Sequence, residues 1–357
     1  MFKVADYLIQ SQATVVIEGS AQLRPLDTRG GRGAAWSSLV LLRALMKMVA
    51  GRISGNLAGL HVNMAERLSL VRKSLVVVVG RALGLPVVLH VHAAQLHHFY
   101  RGLPKSMQWL IRRVFSMPTV CIVLGDASKA FLVSELRVPP GRIEIVINGV
   151  PEPVVPRREA DTAARQRVLF LGNLSERKGV SDLLRALALP ILDRARLDVR
   201  IVGGGDIQLY QRLAEQLGVD KFVHFEGWAD QSAAAHQLAT ADVLVLPSYD
   251  EGLPLVILEA LANGVAVVCT PVGEIPGALT DGVNAIFVQA GDAASIASGL
   301  HAVLGNPVLR ETLERNGRSI FQQQFSLSRF FESIARIHRK YIGISARQRE
   351  TAQPAHD

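Results

Sequence analysis

From about residue 166 onward, short apolar runs alternate with amphipathic stretches at a steady pace. Arg167–Leu171, Leu197–Val202, Phe222–Phe225, Val243–Leu246, Val265–Cys269 and Ala285–Val288 read as strands. Helices are predicted near Gly179–Ala188, Ile207–Leu217, Ser232–Ala239, Pro254–Ala262 and Ala293–Leu304. A run such as Val243-Leu244-Val245-Leu246 has no polar side, as a strand buried on both faces requires. The alternation therefore predicts βαβ units and one doubly wound parallel-sheet domain.

The first half repeats the alternation less cleanly. Strands fit at Thr14–Ile17, Gly59–Val62, Pro86–Val91, Val120–Leu124 and Ile143–Val146, and helices at Leu39–Val49, Leu70–Leu83 and Ser106–Phe115. Pro and Gly punctuate Asn148–Pro153, and the charged stretch Arg157–Arg165 has no apolar period. The expected organisation is thus a first α/β domain over 1–150 and a linker over 151–165. A second Rossmann-like domain follows over 166–326, then a helix over 327–344 crossing back to the first domain and a frayed tail over 345–357.

At 357 residues, with 49% hydrophobic and 20% charged side chains, the chain is long enough for two packed domains. Cys121 and Cys269 both lie in apolar runs, which predicts buried free thiols and a reducing, cytoplasmic setting. The greasiest stretch, Ser74 to Val91, is broken by Gly80, Arg81, Gly84 and Pro86, so it predicts helix, turn and strand, not a membrane span. No leader pattern opens the chain.

Charge changes the picture more. Residues 1–150 hold 18 Lys and Arg against 7 Asp and Glu, a net of +11, while the remainder nets −3. A basic half implies an anionic partner. Nucleic acid is not expected, because no basic–aromatic interleaving is present. An anionic membrane surface or a lipid-phosphate acceptor fits the basic amphipathic stretch Trp36–Arg52, which would place the protein on the inner face of the cytoplasmic membrane. The same stretch also reads as an ordinary surface helix, with Trp36, Leu39, Leu42 and Met46 on the core and Arg43 and Lys47 in water.

Candidate chemistry centres on Glu251, just after the strand Val243–Leu246, where ligands of open parallel sheets bind. Pro254 suits the first helical turn. Backbone N–H groups of Gly252 to Leu255 would face phosphate oxygens there. Glu259 lies one to two turns on, and two carboxylates beside such a helix end suit a polyhydroxylated ligand. An ordinary dipole-favoured Glu251 and a solvated Glu259 fit equally well on these residues alone.

The order of motifs goes further. Pro247-Ser248-Tyr249-Asp250-Glu251-Gly252-Leu253-Pro254 with Glu259 follows Leu171-Gly172-Asn173-Leu174, Lys178-Gly179, Ile201-Val202-Gly203-Gly204-Gly205 and Phe225-Glu226-Gly227. This series resembles the retaining glycosyltransferases of family 4, densely from about Arg142 to Val288. The resemblance implies the GT-B architecture, two facing Rossmann-like domains, and transfer from a nucleotide-diphosphate sugar to an acceptor hydroxyl, with no cofactor and no metal. The chain also has no Asp-x-Asp triad. Its surface-polysaccharide members suggest a lipid-linked or saccharide acceptor in cell-surface or exopolysaccharide synthesis. By the same resemblance Glu251 meets the donor sugar, Glu259 the ribose and Lys178 the diphosphate, with Gly172, Gly204, Gly252, Leu253 and Pro254 around the donor. The family's arginine at the place of Asn173 is missing, and Arg177 would compensate only if it turned the same way as Lys178. His92, ending His90-Val91-His92, matches the active-site histidine, although Ala93 stands where the family has glycine. His90 reads as a packed histidine. Asn63, Arg67, Ser69, Arg72 and Lys73 resemble an acceptor-side segment.

The opening Met1–Leu8 reads as the middle of the family's first helix, so its first strand and Gly-Gly loop are expected to be absent, unless Arg29-Gly30-Gly31-Arg32-Gly33 serves as that loop. Two other readings stay open: a shortened relative that only binds a nucleotide or partner, and a nucleotide-sugar epimerase of the same fold.

Overall fold

The computed structural model describes residues 4, 6–10, 22–31, 33–65, 67–92, 95–157 and 165–343. The predicted strand Thr14–Ile17, the tail 345–357, Arg32 and Ala93 lie outside them. The chain divides into two compact units, one of residues 1–147 with 328–357 and the other of residues 148–327.

In the first unit, β1 (Leu60–Met64), β2 (Val87–Val91), β3 (Val120–Val123) and β4 (Ile143–Ile145) pair in parallel, in that order. β2 and β3 are buried along their whole length, and their Val, Leu, Ile and Cys121 side chains form the centre of the core. The helices are α1 (Ala34–Ile53), α2 (Leu68–Ala82), α3 (Leu96–Arg101), α4 (Lys105–Phe115) and α5 (Asp126–Ser134). α3 and α5 are additional to the predicted set. A last helix, Leu327–Tyr341, buries Phe330, Phe331, Ile334 and Ile337 and is tied to β4, where Lys340 and Tyr341 both donate to Glu144 at 2.8 and 3.0 Å.

Before α1 no strand is present among the described residues 22–31 and 33. The Asp27 carboxylate accepts from the N–H groups of Arg29 and Gly30 at 2.7 and 2.9 Å, closing a turn. Those amides are spent on Asp27, so this Gly-Gly segment does not present them to a phosphate.

The second unit holds six parallel strands, β5 (Gln166–Leu171), β6 (Leu197–Val202), β7 (Val223–Gly227), β8 (Val243–Leu246), β9 (Ala266–Cys269) and β10 (Ile286–Phe287). Their spatial order is β7-β6-β5-β8-β9-β10. The direction of winding reverses between β5 and β8, the switch point at which open α/β sheets place their ligands. The crossover helices are α6 (Val180–Leu187), α7 (Ile207–Gln216), α8 (Gln231–Thr240), α9 (Leu255–Ala262) and the short α10 (Ile275–Ala278). α11 (Ala293–Gly305) and α12 (Pro307–Ile320) follow, and the Leu327–Tyr341 helix becomes α13. Side chains of Asp206, Asp230, Asp292 and Asn306 cap α7, α8, α11 and α12 by accepting first-turn amides. Cys121 and Cys269 are buried free thiols, and burial pushes the Cys121 thiol up to about 12.

Candidate active site

Four loops leave the carboxyl ends of β5, β6, β8 and β9, and two glycines let them interlock. Gly203 follows β6 at φ +154°, and a Cβ there would overlap the carbonyl oxygen of Gly172 in the β5 loop. Gly273 follows β9 at φ +60°, where a Cβ would overlap the carbonyl oxygen of Glu251. The β5 and β6 loops are further joined by Leu174 N–H donating to Gly204 O at 2.7 Å.

These contacts hold Glu251 in place. Tyr249 N–H donates to Arg177 O at 2.8 Å, Thr270 Oγ1 to Ser248 O at 2.5 Å and Glu274 N–H to Gly252 O at 3.0 Å. Leu253 is buried as an anchor. Pro254 is extended (φ −65°, ψ 128°) and caps α9 from outside, so the helix begins at Leu255, one residue later than expected. Pro254 has no side-chain group with which to cap that first turn. Glu259 is half-buried in the second turn of α9.

Residues 176–178 form one turn of 3₁₀ helix, stopped at Gly179 by a left-handed backbone. Glu176 anchors the turn by accepting from Ser181 Oγ and Tyr210 Oη at 2.6 and 3.1 Å. From it Lys178 Nζ donates to Glu251 Oε1. Arg177 lies beside the same carboxylate, NH1 to Oε2 3.9 Å, and donates to Asp250 O. Arg177 turns the same way as Lys178: both cations reach one carboxylate, because Lys178 ends the turn while the longer Arg177 bends back along the Asp250 backbone. Asn173 is exposed near Gly204, outside this cluster. Tyr249, which sequence reasoning did not single out, donates to Asp182 Oδ2 at 2.7 Å, and that bond raises its phenol pKa.

In the first unit the structure assembles a chain of histidines, His90 and His338 buried and His61 and His92 half-buried. His61 Nδ1 meets His338 Nε2 at 2.8 Å and His61 Nε2 meets His90 Nδ1 at 3.3 Å. The His90 ring lies on His92, with centroids 3.9 Å apart. His92 Nε2 is 2.8 Å from Asn63 Oδ1. An amide oxygen accepts, so Nε2 carries the proton and Nδ1, buried and unpartnered, keeps its lone pair. Burial holds all four rings neutral. It lowers His92 to about 3 and His338 to about 4, and His61 and His90 well below the ordinary value. His61 and His338 escaped sequence reasoning. The polar positions His61 and Asn63 on β1, in register with Val88 and His90 on β2, were the available signal.

The remaining acceptor-side candidates do not converge on His92. Ser69 Oγ accepts from Ala65 N–H at 3.3 Å at the start of α2. Arg67 precedes that helix, exposed, at φ 59°. Arg72 and Lys73 are half-buried, and burial together with Arg72 lowers the Lys73 pKa. Among the described residues no group of three or more His, Cys, Asp or Glu side chains is placed to hold a metal ion, and no helix is long and apolar enough to cross a membrane.

Residues 156–320 match the family of glycosyl transferases group 1. An uncharacterised glycosyltransferase of Methanocaldococcus jannaschii is 28% identical over 231 residues, 61% of this chain and 59% of that one. A D-inositol 3-phosphate glycosyltransferase of Streptomyces avermitilis is 33% identical over 195 residues, 49% of this chain and 42% of that one. The chain thus spans about half the length of these relatives. Among solved structures, Anabaena HepE in complex with UDP and glucose has a TM-score of 0.69 at 17% identity, covering 85% of this chain and 82% of that one. Sucrose-phosphate synthase of Thermosynechococcus elongatus has 0.69 at 20%, covering 85% and 78%. The chain has the GT-B fold of these glycosyltransferases, and its second unit carries the part that matches glycosyl transferases group 1.

Proposed function

We propose that the protein is a retaining glycosyltransferase of family 4. It moves a sugar from a nucleotide-diphosphate donor to a hydroxyl of a lipid-linked or polysaccharide intermediate in bacterial surface or exopolysaccharide synthesis. The observation that carries this reading is the buried Glu251 carboxylate with Lys178 and Arg177 at the β5–β8 switch point. A cation pair at a place where ligands bind suits a diphosphate, and stabilising the departing diphosphate is the largest electrostatic task in such a transfer. Gly172, Gly204 and the N–H groups of Gly252, Leu253 and Leu255 would provide close backbone approach to its oxygens. Arg177 takes over from the arginine that Asn173 replaces. Glu251 accepts from sugar hydroxyls and Glu259 from the ribose. His92 is assigned a sugar hydroxyl on the family resemblance alone. HepE was crystallised with UDP-glucose, which makes uridine nucleotide sugars the first donors to try.

The test is incubation of the purified full chain with labelled nucleotide sugars and a bacterial lipid extract. Label should pass to the lipid fraction, and Glu251→Ala should abolish the transfer. Conversion of the donor without any acceptor would mark an epimerase. A rise in melting temperature with nucleoside diphosphate but no turnover would mark a binding protein.

A further inference from the structure

We propose that the outer face of the first unit, made by α1, α2 and α4, seats on an anionic lipid surface. Parallel strands in the monotonic order β1-β2-β3-β4 need right-handed crossovers, which put α2 and α4 on one face of the sheet. α2 packs against both α1 and α4, so the three lie side by side.

Each helix is apolar on the side that faces away from the core. α1 turns Ala44 and Met48 inward and presents Leu39, Leu42, Met46, Val49 and Ile53 on the opposite side, at spacings of three and four residues. Leu42 and Met46 are each 54% exposed and Ile53 82%. This overturns the expectation that Trp36, Leu39, Leu42 and Met46 face the core. α2 buries Leu70, Val76 and Val77 and exposes Leu68, Val71, Leu75 and Val78. α4 buries Ile111, Val114 and Phe115 and exposes Trp109 and Leu110. A helix apolar on both sides is not a water-facing element, and three adjacent ones make a patch that marks an interaction surface.

Charge selects the partner. The three helices carry nine lysines and arginines and no aspartate or glutamate. Arg43 and Lys47 border the α1 stripe, and the Arg43 and Arg113 guanidinium groups lie over the Trp36 and Trp109 rings at 5.9 and 5.3 Å. A second copy would bring those cations against their own kind. Anionic headgroups instead complement them, while the stripes and tryptophans enter the acyl boundary. The surface is compatible with a lipid-linked acceptor, but its test needs neither donor nor acceptor and stands apart from sugar transfer.

The test is co-sedimentation of the full chain with phosphatidylcholine vesicles, with and without about a third phosphatidylglycerol. Binding is expected only to the anionic vesicles, falling as salt rises, with a blue shift of tryptophan emission. Arg43→Glu with Lys47→Glu should weaken binding about tenfold or more, and Leu42→Ser with Met46→Ser comparably. Unchanged melting temperatures would show that these exposed positions leave the fold intact. Failure to pellet with anionic vesicles overturns the proposal, whether the chain is then a monomer or a dimer that Leu42→Ser dissociates. Binding indifferent to all four substitutions overturns it too.

Discussion

Replacing Glu251 by glutamine removes one charge and almost no volume, so it isolates the electrostatics of the pair with Lys178. The two side chains are 8% and 13% exposed, and Arg177 stands 3.9 Å from the other carboxylate oxygen. Deleting one partner of a buried ion pair leaves the other charge unpaired in a poorly solvated place, at a cost of roughly 3–5 kcal/mol. Lysine can swing its ammonium toward water along its flexible stem, which lowers the expected loss to about 2–3 kcal/mol. The second unit spans residues 148–327. For a unit of this size each kcal/mol moves the melting midpoint by roughly 2–4 °C, so a fall of about 5–10 °C is expected by calorimetry. Lys178→Met should cost a similar amount, and the double variant should recover part of it, with a coupling of about 2 kcal/mol. Nucleoside diphosphate affinity should be retained in Glu251→Gln, because Lys178 loses a competitor, while sugar transfer falls about a hundredfold or more. A midpoint shift under about 2 °C with strictly additive single variants would show that the pair is screened by solvent. Unaltered transfer would remove Glu251 from the chemistry.

Three further outcomes are expected. Arg177→Ala should raise KM for the donor about tenfold with a smaller change in kcat, and adding Asn173→Arg should restore it; steady-state kinetics decides, and no rescue would mean that the two positions do not share a role. Gly203→Ala should destabilise the second unit by at least about 1–3 kcal/mol through strain at φ +154° and overlap with Gly172 O. Gly204→Ala, whose Cβ meets only Asn173 Oδ1 at 3.9 Å, should leave the melting point within a degree or so of the parent. For pH, the buried histidines have folded pKa values below their unfolded value of about 6.5, so the unfolded chain binds more protons as pH falls and stability declines through that window. His338 alone, at about 4, should cost about 2 kcal/mol between pH 7 and pH 5. The facing groups on the neighbouring elements are His61, His90 and His92, with Lys340, Tyr341 and Glu144 at the rim. Thermal unfolding from pH 7.5 to 4.5 should show the slope, and His338→Gln should flatten it; a flat parent profile would refute the buried-neutral assignment.

The second unit was largely legible because its physics is local. Strands buried on both faces must be continuous apolar runs, and the predicted Leu197–Val202 and Val243–Leu246 coincide with β6 and β8. α12 was missed although Asn306 and Pro307 spell a helix start, since its five charges masked the buried Leu313 and Gly317. α3 and α5 are six and nine residues long, too short for their period to stand out. What sequence could not supply was convergence. Arg177 and Lys178 meet at Glu251 only because a 3₁₀ turn and the β8 loop cross. Likewise the His61–His338 contact joins a strand to a helix more than 270 residues away. The outward stripe of α1 was visible as a pattern, but which side of the helix meets the core is decided by its neighbours.

On the proposed reading, the Glu251 cluster also bears on how the site could work with asparagine at position 173. Two cations side by side repel each other, and before a ligand arrives a counter-charge offsets that repulsion between Lys178 and Arg177. Glu251, held between the β5 and β9 loops by backbone contacts, keeps both cations within reach of one carboxylate. On the proposed reading, a diphosphate arriving at this place brings its own negative charge and would replace Glu251 as the counter-ion. The carboxylate so released would then accept from the sugar hydroxyls that enter with it. On the proposed reading, donor binding is therefore an exchange of one ion pair for another in a preorganised frame. The cost of placing like charges together is met by the fold before the ligand arrives, which is the condition under which electrostatic stabilisation of a leaving group is most effective.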